Sequence, residues 1–185
     1  MDVIVVVDLG DKELARQFAE HFDQLNYASE VELDGEKVRL HVKTVDWERL
    51  KEERIPLYSL IEETIASIHP AGWAYVQNHG ISSMIDVEID PHELLWFHEF
   101  QASVSEGEYT WRTTEPLIVE GKGENSVEIR GTDFFAVEDP YIIDQILYVI
   151  QAFYEDDPEY EVERGERMDS SDVLIVRWVG KNEDD

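Results

Sequence analysis

Val3-Ile4-Val5-Val6-Val7-Asp8-Leu9-Gly10-Asp11 is the stretch from which the fold can be built. Five consecutive β-branched apolar residues leave no polar face, so the reading is a strand covered on both sides, inside a sheet rather than at its edge. Gly10 permits a tight turn, and Asp11 stands where a helix cap is expected. Ends of interior strands often carry active sites. Asp8 and Asp11 are therefore candidate metal ligands, since two carboxylates there could hold a divalent metal such as Mg²⁺. The chain sets no Gly-rich phosphate loop, Gly-Lys-Ser/Thr or Asp-x-Asp beside them. Capping by Asp11 is the plainer reading.

Working outward, Leu14, Phe18, Phe22 and Leu25 recur at helical spacing and predict a one-sided surface helix to about Leu25. Ser29–Leu33 and Glu36–Val42 alternate around Asp34-Gly35, which reads as a two-residue hairpin turn. With that turn, Leu33 faces Glu36, Glu32 faces Lys37, Val31 faces Val38 and Glu30 faces Arg39, so opposite charges share one face. Arg39, His41 and Lys43 form a locally basic strip that answers Glu30 and Glu32. Asp46 is expected to start a helix at Trp47, with a break near Ile55 before Pro56. The stripe Leu57, Leu60, Ile61, Ile65 and Ile68 predicts a further helix ending at His69-Pro70.

From Gly72 to Arg130 the pattern reads mainly as antiparallel β. Strands are expected at Trp73–Gln77, Met84–Ile89, Tyr109–Thr114, Leu117–Val119 and Ser126–Arg130, with Ser105–Glu108 as a turn and Gly121–Asn125 as a polar loop. Leu94–Val104 carries two signals. Asp90-Pro91-His92-Glu93 matches a helix N-terminus, whereas the alternation of Phe100, Ala102 and Val104 favours a strand, which is the reading preferred. Phe134–Val137 is expected as a buried strand. Asp139-Pro140 should then cap a strongly apolar helix, one that packs deeply or in a subunit interface, stopped at Asp156-Asp157-Pro158. Tyr160–Glu163 and Val173–Val179 read as strands joined by a polar loop, and Lys181–Asp185 as a frayed tail.

The order strand, helix, short strand, strand occurs at 3–45 and again at 134–179. At an offset of 131 positions, Val6 meets Val137, Asp8 meets Asp139, Phe22 meets Phe153, and Glu30-Val31-Glu32 meets Glu161-Val162-Glu163. The fold expectation is α+β, a single domain of 185 residues with a largely antiparallel sheet of about eight strands and three or four helices, admitting two βαββ pseudo-repeats.

Composition bounds the function. Hydrophobic content of 43% with five Trp supports a packed interior. There is no cysteine, which excludes disulfides, zinc-thiolate sites and thiol catalysis. No apolar run approaches the roughly 20 residues that span a bilayer, and Met1-Asp2 leads straight into a strand without a basic signal region. The expectation is a cytoplasmic protein without membrane contact. Asp and Glu number 43 against 15 Lys and Arg, a formal charge of −28, and the acids recur in every loop and exposed face. Six lysines stand against nine arginines. In dilute buffer such a surface repels itself and nucleic acid. This dispersed acidity resembles that of cytosolic haloarchaeal proteins, an implication carried by composition and by no functional motif. At 1 M salt the Debye length is about 3 Å, so the acidity reads as halophilic solvent adaptation, and nucleic-acid binding at high salt stays open.

The densest set of metal-ligating types is Asp86, Asp90, His92 and His98. On a helix, six residues of separation turn His92 about 120° away from His98, so this is not the spacing of His-Glu-x-x-His zinc enzymes. Ser82-Ser83 and Ser170-Ser171 lie in no Gly-x-Ser-x-Gly motif. Trp96, Phe97, Phe100 and Trp111 read as core or interface rather than a platform for bases, with Arg112 and Arg130 nearby. The leading expectation is a binding or assembly protein without catalytic activity or cofactor, associating with itself. The alternative is a small metal-assisted hydrolase or phosphoryl-transfer enzyme using carboxylate and histidine ligands.

Overall fold

The computed structural model describes residues 1–68, 71–106, 111–123, 125–167 and 171–180. The helix stop at His69-Pro70, the second half of the turn expected at Ser105–Glu108, Tyr109-Thr110 and the tail Lys181–Asp185 fall outside them. So do Glu124, and residues 168–170 with Ser170 among them. Contacts divide the chain into two compact units, Asp2–Glu88 and Ile89–Asp185, the second including Met1. Among the described residues no helix is long and apolar enough to cross a membrane.

In the first unit, β1 (Val3–Asp8) leads into α1 (Lys12–Leu25), then β2 (Glu30–Asp34) and β3 (Lys37–Val42). Three helices follow, α2 (Thr44–Glu52), α3 (Leu57–Ala66) and α4 (Ala71–His79), and then β4 (Ile85–Ile89). The sheet order is β2-β3-β1-β4. β1 is interior, as its uninterrupted apolar run requires, with Val3, Val5 and Val7 at 1% exposure or less. It pairs antiparallel with β3, Val6 opposite Arg39. Asp8 N–H donates to the Met84 carbonyl at the start of β4 (2.8 Å).

The hairpin differs from its expected register by two residues. Glu32 faces Arg39 and Glu30 faces His41. The loop residues are Gly35 and Glu36, and only Gly35 has positive φ (64°). Glycine at the first central position makes a type II′ turn, where Asp34-Gly35 would have required type I′. A shift of two preserves the faces, so acids still meet bases. α2 begins before Trp47. Asp46 is not its cap but sits in its first turn, accepting from Lys43 N–H (2.9 Å) and Ser29 Oγ (2.6 Å).

Trp73–Gln77, expected as a strand, is helical in α4. Tertiary contact decided this. A Cβ on Gly72 would lie 1.9 Å from the Ile65 carbonyl oxygen, so α4 reaches α3 at a position only glycine can fill.

The second unit runs α5 (Pro91–Ser105), β5 (Trp111–Thr114), β6 (Leu117–Gly121), β7 (Ser126–Gly131), α6 (Asp133–Glu138), α7 (Pro140–Glu155), β8 (Tyr160–Glu166) and β9 (Asp172–Trp178). Its sheet order is β5-β6-β7-β9-β8, antiparallel throughout. Leu94–Val104 is helix, not strand. Asp90 caps it with Pro91 in the first turn, and the buried Phe97, Phe100 and Val104 recur at helical spacing. Phe134–Val137 is also helix rather than strand, in α6. Its short apolar run admitted either period, and Phe135 is its buried anchor.

The architecture is thus α+β with nine strands in two antiparallel sheets and seven α-helices among the described residues, against the expected eight strands and three or four helices. Each sheet contains a strand, a long helix and a hairpin whose second strand pairs with the first: β1, α1, β2-β3 and β7, α7, β8-β9. The counterpart of β1 in this order is β7, not 134–137, because the latter is helical.

Candidate functional site

The predicted carboxylates at the end of β1 satisfy their own backbone. Asp8 Oδ1 accepts from Gly10 N–H (3.0 Å). Asp11 Oδ1 accepts from Glu13 N–H (2.8 Å) and Leu14 N–H (2.9 Å), the geometry of an N-cap. The turn is built to launch α1.

The set Asp86, Asp90, His92 and His98 is not gathered. Asp86 is exposed on β4 and accepts from Val87 N–H (2.9 Å). Asp90 caps α5, its Oδ1 accepting from His92 N–H (2.7 Å) and lying 2.9 Å from His92 Nδ1. The His92 backbone N–H, and then its imidazole, hold the Asp90 carboxyl below the usual aspartate range. His92 itself is 93% exposed. His98 lies further round α5 and joins an aromatic cluster instead: Tyr154 (6.2 Å, stacked), Tyr160 (5.3 Å) and Phe153 (6.4 Å, edge-on). Its Nδ1 is buried without a hydrogen-bond partner. Burial raises the Tyr154 phenol far above its ordinary value, and pushes Tyr160, next to Asp157, up to about 12.

The first unit brings together a group that the expected hairpin register had scattered. Glu30, Glu32 and His41 place one ligand atom each within 4.8 Å of one another, the one such group among the described residues. Two carboxylate oxygens and an imidazole nitrogen suit a divalent transition metal. The same atoms also make an ion-pair ladder. His41 Nε2 lies 3.2 Å from Glu32 Oε1, and Arg39 Nε 3.7 Å from it. Placing Gly35 first in the turn would have revealed Glu30 opposite His41 from sequence.

The second unit carries a different surface. On α7, Ile142, Ile143, Ile146, Leu147, Ile150 and Tyr154 are buried. Tyr141, Gln145, Tyr148, Val149, Ala152 and Phe153 lie within about 140° of the helix circumference, a sector they share with the buried Ile142 and that Asp144 and Glu155 border. No charge interrupts them. Tyr148 is 62% exposed and Phe153 40%. Phe153 meets His98 of α5, and Leu95, 50% exposed, stands one turn before His98. Reading 94–104 as a strand concealed the α5 part of this band. The α7 part was legible from the helical period. Of the other aromatic candidates, Trp111 is 64% exposed and the rest are spent locally. Phe97 and Phe100 are buried, Arg112 Cζ lies 4.8 Å over the Trp96 ring, and Arg130 sits between Glu120 and Glu128 (2.8 and 3.3 Å).

No family model, curated protein or solved structure matches the chain.

Proposed function

We propose that this is a binding or assembly protein without catalytic activity, which associates with itself through the charge-free band of α7, beside which α5 sets Leu95 and His98. The observation that carries the reading is the continuity of Tyr148, Val149, Ala152 and Phe153 on a chain of formal charge −28. A two-fold contact sets a patch against its own copy, so a patch of one sign meets its own sign. Self-contact on so acidic a chain therefore favours a surface without carboxylates, and exposed aromatic side chains supply the apolar area. The dispersed acidity is read as adaptation to concentrated salt, which screens the remaining repulsion.

Light scattering in molar KCl tests it. The wild-type chain should run as a dimer or larger, and Tyr148→Asp as a monomer with unchanged circular dichroism. A monomeric wild type at tens of micromolar would sink the reading.

A metal-assisted enzyme is the second reading, and the convergence of Glu30, Glu32 and His41 favours it. Calorimetric titration with Mn²⁺ or Zn²⁺ tests it. Saturable binding lost in His41→Ala would support it, and heats identical to those of His41→Ala would remove it.

A further inference from the structure

The free edge of the five-stranded sheet points to a second kind of partner. β8 ends the sheet, with β9 on one side and no strand on the other among the described residues. The hydrogen-bond phase says which backbone groups β9 leaves unused. Val179 N–H donates to the Glu159 carbonyl (2.8 Å), whereas Trp178 N–H turns away to the Asn125 carbonyl (2.7 Å). Antiparallel ladders alternate, so Glu161, Glu163 and Gly165 spend their backbone groups on β9. Val162 and Arg164 direct theirs to the open edge, whereas Tyr160 N–H is taken by the Asp157 carbonyl (3.1 Å).

The side chains add a sign. Glu161 and Glu163 lie opposite Arg177 and Ile175 in the register, on the face away from α7, since Arg164 on the alternate face reaches Asp144 of α7 (2.6 Å). A shallow cleft of about 390 Å³ opens there, lined by Glu161, Val162, Glu163, Ile175 and Arg177. Ile175 provides an apolar floor, and at the rim Glu161 and Glu163 outnumber the single cation Arg177, which leaves a net negative site for the stem and head of a lysine or arginine. The other outer hairpin strand differs. On β2, Glu32 is already engaged by Arg39 and His41. On β8, Glu161 holds Arg177 only at 3.9 Å, and Glu163 has no cation within ion-pair distance among the described residues.

We propose that the β8 edge takes up an extended basic segment of another protein by strand addition, with Lys or Arg at every second position over Glu161 and Glu163. A second copy of β8 does not fit, because it would set Glu161 and Glu163 against their own kind. The surface is separate from the α7 band, so the two readings stand or fall independently.

The experiment titrates a peptide of alternating Lys and Val into ¹⁵N-labelled protein, in the lowest KCl concentration at which circular dichroism shows the native fold. Saturable shifts should centre on the amides of Val162 and Arg164. The same peptide N-methylated along one edge keeps its charge but cannot pair from that edge, and should not saturate. Val162→Pro removes an edge donor without costing a β8–β9 ladder bond, and Glu161→Lys with Glu163→Lys reverses the rim; each should weaken binding about tenfold or more. Tyr148→Asp should bind like the wild type, which separates this proposal from self-association. Equal binding of the N-methylated peptide, shifts centred elsewhere, or no effect of the charge reversal would overturn it. Should Val162→Pro fail to fold, the N-methylated peptide and the charge reversal decide alone.

Discussion

Arg39 on β3 reaches over β1 to Glu88 on β4. Its Nη2 lies 2.6 Å from Glu88 Oε1 and its Nη1 3.2 Å from Oε2. Directly opposite Arg39 on β1 is Val6, only 7% exposed although it lies on the polar face of the sheet. The guanidinium therefore does two things. It pairs with a carboxylate two strands away, and its stem crosses a valine that would otherwise meet water. Glu88 holds the Arg39 guanidinium more firmly protonated than usual.

A double-mutant cycle on Arg39→Ala and Glu88→Ala should therefore separate packing from charge. The coupling energy is expected at about 0.5 kcal/mol, because Glu88 is half exposed, and should shrink as KCl rises. Arg39→Ala should cost more than Glu88→Ala at every salt concentration, since it alone uncovers Val6. Denaturant unfolding of the four proteins reads both, and equal single-mutant costs would contradict the packing role.

The two carboxylates after β1 should separate by stability rather than by activity. Asp11→Ala removes the acceptor for two helix N–H groups and should cost about 1 kcal/mol. Asp8→Asn keeps an oxygen for Gly10 N–H and should change stability by less than about 0.5 kcal/mol. Thermal melts at fixed KCl check the pair.

Two titrations follow from the second unit. The folded pKa of Asp90 is depressed, so its capping contribution is complete above the ordinary aspartate range and is lost as pH falls through the lowered value. The Asp90 carboxyl carbon signal should move at lower pH than that of an unstructured aspartate, and His92→Ala should bring it part of the way back. Tyr160 runs the other way. Its folded pKa of about 12 lies above the ordinary value of 10, so its contribution is present below pH 10 and disappears as pH rises from there toward 12. Tyr160→Phe should flatten alkaline unfolding over that window, read by circular dichroism against tyrosinate absorbance.

The glycines of the first unit should respond to alanine for different reasons. At Gly35 an added Cβ meets nothing within 4 Å, and only φ of +64° opposes it. Gly35→Ala should cost about 1 kcal/mol. At Gly72 the Cβ would sit 1.9 Å from the Ile65 carbonyl oxygen, so α4 must move, at the upper end of about 1–3 kcal/mol or beyond. Denaturant unfolding ranks the two, and a Gly72→Ala no worse than Gly35→Ala would contradict the close approach.

What the sequence determined by itself is the local chemistry. β1 is interior to its sheet because five β-branched residues offer no polar alternation, and its second face, that of Ile4 and Val6, lies beside Arg39 and His41 rather than against core. Asp11 and Asp90 cap helices because their side chains reach N–H groups two or three residues on, and Pro56 stands at the N-cap of α3, where its missing donor costs no helix bond. Interactions of that range are written in consecutive residues. The tertiary structure alone decided Trp73–Gln77, Leu94–Val104 and Phe134–Val137. Short aromatic and β-branched runs satisfy either period, and the choice fell to what packs against them: Ile65 against Gly72, and Tyr154 and Tyr160 against His98. It also decided which titratable groups meet. Glu30, Glu32 and His41 converge because one glycine took the first rather than the second place in a turn, while Asp90 and His92 were drawn to a helix end and His98 to an aromatic cluster. A ligand set or a binding face is a coincidence in space between residues distant in sequence, and hydrophobic pattern constrains it only through the register it permits.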